Sequence, residues 1–232
     1  MPNPDFVYNP PMSPYLDFVY QDNDIVIVNK PNEFLSVPGK NIEDSVYLRI
    51  KQQFPQATGS LIVHRLDMST SGLMVLALTK RAQKSLQQQF VNRTIKKRYV
   101  ALLESHFESH FERGIESELT VKQGEINLPL RGDIEDRPRQ LVCFEHGKAA
   151  RTQWQLIEYV NGNPKLYLYP ETGRTHQLRV HCAHPKGLNA PILGDDLYGN
   201  IKDQRLYLHA QRLTLVHPIT KETMTFEVDE PF

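Results

Sequence analysis

The sequence of 232 residues has little of what marks membrane-spanning, secreted or disulfide-stabilised proteins. No apolar run approaches the roughly 20 residues that a bilayer-spanning helix needs. The N-terminal segment MPNPDFVYNPPMSPY contains an Asp and five prolines where a signal or transit peptide would have basic and apolar residues. The two cysteines, Cys143 and Cys182, have no CxxC partner, which favours free, reduced thiols. We therefore expect a cytoplasmic protein with no membrane partner.

The chain also lacks an excess of charge, since 27 basic residues balance 27 acidic ones. Taken alone, this balance argues mildly against a nucleic-acid ligand, because binding to phosphates depends on positive charge. The charges are nevertheless unevenly distributed. Residues 80–99, KRAQKSLQQQFVNRTIKKRY, contain seven basic residues and no acidic one, whereas acidic residues gather between Glu104 and Asp136. A basic run on its own is more often a solvated helix face, but this separation of charge also suits a phosphate backbone on one surface.

Hydrophobic patterning predicts strands and helices in the first half of the chain. The run LMVLALT is short and apolar throughout, as is typical of a strand buried on both faces. Ala82, Leu86 and Phe90 recur every four residues and predict an amphipathic helix. The predicted elements are a strand at 24–28 that ends in a turn at Asn29-Lys30-Pro31, a helix within 44–54, a strand at 73–79, a helix at 80–91 and a strand at about 98–104.

The second half of the chain predicts further strands and one more helix. The triplet Asn161-Gly162-Asn163 between TQWQLIEYV and PKLYLYPE is a strong hairpin signal. TGRTHQLRVHCAH predicts a helix from about Thr175, capped by Thr172 or Thr175, and the tail supplies LYLHAQRLTLV and TMTFEV as two strands. Residues 106–147 are polar and broken by proline and glycine, so hairpins and long loops are expected there.

These elements add up to an α+β fold with a mixed, mostly antiparallel central sheet and flanking helices and loops. The length fits one domain over residues 1–232, and the proline-rich residues 1–16 are expected to form an extended arm.

The segment His64-Arg65-Leu66-Asp67-Met68-Ser69-Thr70-Ser71-Gly72-Leu73 is the most informative part of the sequence. It stands immediately before a buried strand, so its polar side chains are expected on a loop held by a rigid element. An Asp in such a loop is by itself more often a turn or capping residue, and Arg65 by itself could be a surface ion-pair partner.

HRLDMSTSGLMVLALTK resembles the catalytic motif HRLDxxTSGL of the RluA family of pseudouridine synthases. VNKPNEFLSVPG, KKRYVALL and TGRTHQLRVHCAHPKGLNAPILGDDLYG resemble further segments of that family, in the same order along the chain. The resemblance implies the pseudouridine synthase catalytic fold, without the S4 RNA-binding module that some relatives carry. It also implies isomerisation of uridine at a stem-loop position in transfer RNA (the anticodon stem-loop), in 23S ribosomal RNA or in both, by a monomer without metal or redox cofactor.

The resemblance further implies roles for individual residues. Asp67 matches the essential aspartate, Tyr99 the active-site tyrosine, Arg179 the arginine that pairs with the aspartate, and Arg65 the residue that enters the RNA where the target base leaves. The further residues expected to bind RNA are His64, Lys96, Lys97, Arg98 and Arg174. The carboxylate could act as a nucleophile, stabilise an oxocarbenium-like centre or remove a proton at C2′, and the sequence leaves these alternatives open.

Three other interpretations of the sequence compete with this hypothesis. His176, His181 and His184, or His106 and His110, could suggest a metal site, but no Cys or carboxylate completes either set in the sequence. A non-catalytic RNA-binding protein would have no need of the trio Asp67, Tyr99 and Arg179. A glycoside or nucleoside hydrolase normally needs a second carboxylate or a metal. The acidic, aromatic stretch from Glu104 to Glu125 has no assigned role.

Overall fold

A nine-stranded mixed β-sheet organises the part of the chain that the computed structural model describes, residues 8–104 and 122–232. The strands are β1 (Asp17–Gln21), β2 (Ile25–Lys30), β3 (Ser71–Ala77), β4 (Lys96–Leu102), β5 (Gln123–Asn127), β6 (Leu130–Gly132), β7 (Gln140–Val142), β8 (Arg151–Val160), β9 (Asn163–Pro170), β10 (Leu208–Val216) and β11 (Thr223–Glu227). The described helices are α1 (Val46–Gln53), α2 (Lys80–Val91) and α3 (Gln177–Ala183). Most of the acidic, aromatic stretch, together with His106 and His110 and the start of the predicted N-terminal arm, lies outside the described residues.

The order of strands in the main sheet is β1-β2-β3-β10-β4-β9-β8-β5, and β11 also pairs with β10. Strands β3 and β10 are parallel, and the other neighbouring pairs among the described strands are antiparallel. This architecture confirms the predicted α+β class. Strands β6 and β7 form a separate two-stranded sheet.

Glycine at position 72 allows the parallel pairing that joins the two halves of the sheet. Gly72 has φ +113°, and a Cβ atom placed on it would lie 2.4 Å from the carbonyl oxygen of Ala210 on β10. A side chain at this position would therefore push β3 away from β10. Because the loop that carries Asp67 leads directly into Gly72, the close approach also sets where that loop meets the sheet.

Several predicted elements are confirmed. Every residue of β3 is buried, and α2 has the predicted bounds Lys80–Val91. The predicted hairpin is formed by β8 and β9, where Asn161 (φ 52°) and Gly162 (φ 82°) take the positive φ values of a two-residue type I′ turn.

Two local predictions are wrong. The predicted turn at Asn29-Lys30-Pro31 is not formed, because β2 continues through Lys30 while it pairs with β3. Helix α3 is capped by neither Thr172 nor Thr175. Its N-cap is His176, in the left-handed conformation at φ 53° and without a side-chain capping bond.

The core on the two sides of β2 and β3 explains why β3 is apolar throughout. On one side Met74 and Leu76 pack with α1, and on the other side Leu73 and Val75 pack with α2. A strand covered by helices on both faces has no need of alternating polar residues. Helix α3 contributes Leu178 to a further core cluster that packs against β4 and β9. Within the described residues, none of the helices has the length and apolar character required to cross a bilayer.

Candidate active site

A cavity of about 500 Å³ lies where the Asp67 loop, the end of α2, strand β4 and the segment leading into α3 meet. Three stretches that are distant in sequence, 63–70, 90–99 and 170–179, therefore contribute to one site. Seven of the nine predicted site residues line it, namely His64, Arg65, Asp67, Lys97, Tyr99, Arg174 and Arg179. The volume is in the range that accommodates a small organic ligand.

The buried residue Lys30 holds one side of the Asp67 loop. Its Nζ donates to the carbonyl oxygens of Pro31 (2.8 Å), Phe34 (2.7 Å) and Met68 (2.9 Å). Burial lowers the pKa of Lys30 to about 7, and the charge of Asp67 opposes this shift. Three carbonyl acceptors match the three N–H donors of an ammonium group, so the side chain fixes the backbone directly after Asp67.

Ser36 holds the other side of the same loop. Its hydroxyl donates to the carbonyl oxygen of Leu66 (2.6 Å) and accepts from the Leu66 amide (3.1 Å). Within the loop, the amide of Thr70 donates to the Asp67 carbonyl oxygen (3.1 Å). The backbone on both sides of Asp67 is thus tied to buried groups, which orients the side chain toward the cavity.

The carboxylate of Asp67 is half-buried and makes no hydrogen bond or ion pair with any other residue that the structure describes. The predicted pair between Asp67 and Arg179 is not formed. Arg179 instead binds Asp195 through two hydrogen bonds, Nε to Oδ2 (2.8 Å) and Nη2 to Oδ1 (2.5 Å), and Asp196 through Nη2 (2.7 Å). A bidentate partner on the adjoining loop satisfies the guanidinium fork better than one more distant carboxylate.

The electrostatics still link Arg179 to Asp67. Burial would lower the pKa of Arg179, but the hydrogen bond and charge of Asp195, with the charges of Asp196 and Asp67, raise it above its ordinary value. Arg179 is therefore a permanent positive charge in the wall of a cavity that contains an unpaired carboxylate.

Tyr99 lies in the cavity wall on β4. Burial raises the pKa of its phenol above the ordinary value, and the charge of Asp67 raises it further. The phenol is therefore neutral at physiological pH and can donate a hydrogen bond. Its ring packs against two core clusters, which holds it in position.

The three basic residues of β4 that are predicted to bind RNA lie in two different environments, because side chains alternate between the two faces of a strand. Lys97 lines the cavity, whereas Lys96 and Arg98 do not. Arg98 pairs with Glu227, donates from Nε to Gln211 (2.8 Å) and stacks 4.3 Å from the ring of Tyr167. Successive strand residues point to opposite faces, so adjacent positions cannot all reach one cavity. RNA binding by Lys96 and Arg98 stays a prediction, because neither side chain lines this cavity.

Basic groups surround the mouth of the cavity. Arg65 is exposed, and Arg93 and Arg174 line the same opening. Burial lowers the pKa of Lys97 to about 8, so it is charged at neutral pH and loses that charge in mildly alkaline solution. These cations form a positive rim around the Asp67 carboxylate, which is an arrangement that attracts phosphate groups.

His64 lies below the rim and is neutral. Its Nε2 accepts a hydrogen bond from the Val75 amide (3.0 Å), and its ring lies 4.9 Å from that of Phe90. Burial lowers the pKa of His64 to about 3, with a smaller effect of the Lys97 charge. The predicted RNA contact stays a prediction, and the structure shows that His64 also links its loop to β3.

The three histidines near α3 bind different partners. His176 Nδ1 lies 2.8 Å from the Tyr198 hydroxyl, whereas the His181 ring bonds the Thr152 hydroxyl (3.0 Å) and a backbone carbonyl. His184 Nδ1 accepts from the Lys186 amide (3.0 Å). Over residues 8–104 and 122–232, His, Cys, Asp and Glu form no group of three or more that could hold a metal ion.

Sequence reasoning missed Lys30, Asp195 and His176 as parts of this site. Lys30 and Asp195 lie within the segments VNKPNEFLSVPG and GDDLYG, which carried the family resemblance without an assigned role. In the sequence, His176 is notable only as a possible metal ligand. Its positive φ, which is uncommon for a residue other than glycine, becomes visible only in the structure.

Comparisons with known proteins agree on one family. The model of the RNA pseudouridylate synthase family matches residues 24–184. Proteins named dual-specificity RNA pseudouridine synthase RluA, from Haemophilus ducreyi and from Escherichia coli (strain K12), are each 44% identical over 97% of this chain and 98% of the relative. Among solved structures, human RNA pseudouridylate synthase domain containing 1 is similar at a TM-score of 0.72 and 29% identity, covering 99% of this chain and 87% of that one.

Proposed function

The chain belongs to the RNA pseudouridylate synthase family and isomerises uridine to pseudouridine in RNA, and we propose that Asp67 is the catalytic carboxylate of this reaction. Tyr99 and Arg179 are the proposed partners of Asp67 in catalysis. The proposal also includes a single catalytic domain, and its support is the nine-stranded sheet, which joins strands from the first and second halves of the chain.

The observation that carries the proposal is the Asp67 carboxylate, which has no hydrogen-bond partner among the described residues and lies in a cavity with a positive rim. A partly buried carboxylate without a partner is costly, and such groups concentrate at functional sites. Lys30 and Ser36 hold the backbone on both sides of it, so the chain maintains this arrangement through buried contacts. A bound nucleotide would supply the missing partner.

The reaction breaks the N1–C1′ bond, turns the uracil and joins C1′ to C5, while the proton leaves C5 and a proton is gained at N1. An anionic carboxylate next to C1′ can attack that carbon, stabilise its developing positive charge or remove the C2′ proton. The neutral phenol of Tyr99 can stack on the uracil and donate a hydrogen bond to it while the base turns. Arg179 contributes a fixed positive charge to the wall of the same cavity.

The uridine must leave its stack to reach Asp67, which costs a few kcal/mol. Arg65 is exposed at the mouth of the cavity, where its guanidinium can fill the space that the base leaves. Lys97 and Arg174 are placed to bind the flanking phosphates, and Arg174 Nε is already oriented by the Ala149 carbonyl oxygen (3.1 Å). Binding through these groups depends on salt because each contact releases counterions.

The names of the relatives support two classes of target. The two relatives are both named dual-specificity RNA pseudouridine synthase. The corresponding proposal for this chain is that it acts on a stem-loop uridine in transfer RNA, in 23S ribosomal RNA or in both. Action as a monomer in the cytoplasm, where these RNAs are found, is part of the same proposal.

Glu171 is the second carboxylate among the described residues that line the cavity. It accepts from Gln153 Nε2 (2.8 Å) and lies 3.4 Å from Arg151 Nη1. Because both contacts hold this carboxylate against neighbouring side chains, it is poorly placed to act on a leaving group, which disfavours hydrolysis of the glycosidic bond.

The test is to incubate the purified protein with transfer RNA and 23S ribosomal RNA transcripts and map pseudouridine by carbodiimide labelling and primer extension. Wild type is expected to produce stops at defined uridines, Asp67→Asn to produce none, and Asp229→Asn, which changes an exposed carboxylate, to behave as wild type. Asp67→Asn should still bind the RNA. Full activity of Asp67→Asn would exclude the proposed role, and release of free uracil would reveal a hydrolase.

A further inference from the structure

A second groove, of about 540 Å³, runs along the exposed side of α2 where this helix meets the connection between β10 and β11. The described residues that line it are Arg81, Lys84, Ser85, Gln88, Gln89, Asn92, Val216, Pro218 and Lys221. Three of these side chains are cationic, most of the others are polar and none is acidic. The proposed uridine site does not include this groove.

The groove follows from the helical spacing of α2. Arg81, Lys84, Gln88 and Asn92 lie at intervals of three or four residues, so they form one stripe along the helix. Gln89 joins this stripe to the sheet, because its Nε2 donates to the Val216 carbonyl oxygen (2.7 Å) and its Oε1 accepts from the Val216 amide (2.9 Å). The floor of the groove is therefore held in place by two hydrogen bonds.

The cations of the groove are available to a ligand. Arg81, Lys84 and Lys221 form no ion pair with any residue in the described part of the chain, and Lys221 Nζ donates only to the Pro218 carbonyl oxygen (2.6 Å). On β10 and β4, by contrast, Arg98 and Arg212 both pair with Glu227. These positive charges on β4 and β10 are thus paired with a carboxylate. The cations along α2, by contrast, have no ion-pair partner among the described residues.

The groove and the uridine cavity lie next to each other at the last turn of α2. Val91 and Arg93 line the cavity, while Asn92 between them lines the groove. Val91 is 74% exposed at this junction, which is unusual for a large apolar side chain and leaves it open to contact with a ligand. A ligand that enters the cavity at its α2 side is therefore within a few residues of the end of the groove.

We infer that this groove binds the phosphodiester backbone of the substrate RNA beyond the target loop, an inference that rests on the proposed function. The stripe from Arg81 to Asn92 covers twelve residues, or eleven helical steps, and so is about 16 Å long, enough for several consecutive phosphates. The polar residues between the cations suit contacts with phosphate and ribose oxygens that do not depend on base sequence. The basic run 80–99 thereby contributes residues to the uridine cavity and to the groove for the RNA backbone.

The test compares wild type with the triple variant Arg81→Gln/Lys84→Gln/Lys221→Gln on a full stem-loop RNA and on a minimal loop RNA without the stem. On the full stem-loop, KM of the variant at about 0.1 M salt should rise at least about tenfold, with a much smaller change in kcat. The slope of log KM against log salt should fall by about 2 to 3, since three phosphate contacts are lost. On the minimal loop the two proteins should differ little.

The matched control is Lys51→Gln/Lys122→Gln/Lys202→Gln, which removes the same charge from exposed lysines outside both cavities. It should keep the KM and salt slope of wild type, and both triple variants should keep the melting temperature. An unchanged KM for the groove variant, or an equal rise in KM on both RNAs, would overturn the inference. Activity of the wild type in the same assay would still uphold the proposed function. Inactive wild type on every RNA would instead count against the proposed function.

Discussion

Arg179 and Asp195 form a two-point ion pair beside the cavity that contains Asp67, with Nε–Oδ2 at 2.8 Å and Nη2–Oδ1 at 2.5 Å. Both side chains are almost fully buried. Asp195 also accepts hydrogen bonds from the amides of Leu197 and Tyr198, both at 3.0 Å. The arginine that lines the cavity together with Asp67 is therefore positioned by a loop that follows α3.

Asp195→Ala is expected to lower the free energy of unfolding by about 3 to 5 kcal/mol, because it leaves a buried guanidinium without its main counter-charge. Asp196→Ala should cost less than about 1 kcal/mol, since the Asp196 side chain is 70% exposed and its pair with Arg179 is screened by water. Urea denaturation of the three proteins measures both values. Equal stability of the two variants would contradict this account of the pair.

Lys30→Met is expected to destabilise the protein by about 2 to 5 kcal/mol and to reduce kcat, because three buried carbonyl oxygens lose their donor and the backbone after Asp67 loses its anchor. Lys51→Met, which changes an exposed lysine on α1, should alter stability by no more than about 0.5 kcal/mol. Denaturation and single-turnover rates provide the two measurements. Normal kcat in a folded Lys30→Met protein would exclude a role for Lys30 in positioning the loop.

The lowered pKa of Lys97 predicts a pH dependence of RNA binding. Lys97 is charged below about pH 8 and neutral above it, so kcat/KM should fall several-fold as pH rises through about 8. Lys97→Arg should remove this fall, because a guanidinium keeps its charge in this range. The measurement is kcat/KM between pH 6.5 and 9 at constant ionic strength. The same alkaline fall in Lys97→Arg would assign it to another group.

Arg65→Ala should lower kcat/KM by about 10- to 100-fold, because the energy needed to move the uridine out of its stack is no longer offset. A 2-aminopurine placed next to the target uridine should brighten when wild type binds and change less with Arg65→Ala. The control is Arg137→Ala, which removes an exposed arginine outside the cavity. Full brightening with Arg65→Ala would show that base extrusion does not depend on this side chain.

Local patterns in the sequence were sufficient for much of the fold. The periodicity of Ala82, Leu86 and Phe90 predicted α2, and Asn161-Gly162 predicted the hairpin, because these signals arise from neighbouring residues. The order of the strands and the parallel pairing at Gly72 could not be predicted from the same signals, since they depend on which distant segments meet.

The sequence by itself identified the segment around Asp67, the class of fold and most of the predicted residues that come together, since seven of the nine share one cavity. Only the tertiary structure decided the partners. It paired Arg179 with Asp195, turned Arg98 away toward Glu227, and used Lys30 to hold the Asp67 loop. The physical reason is that an ion pair or hydrogen bond forms only where complementary groups come within about 3 Å of each other. That distance is set by packing between residues far apart in the chain.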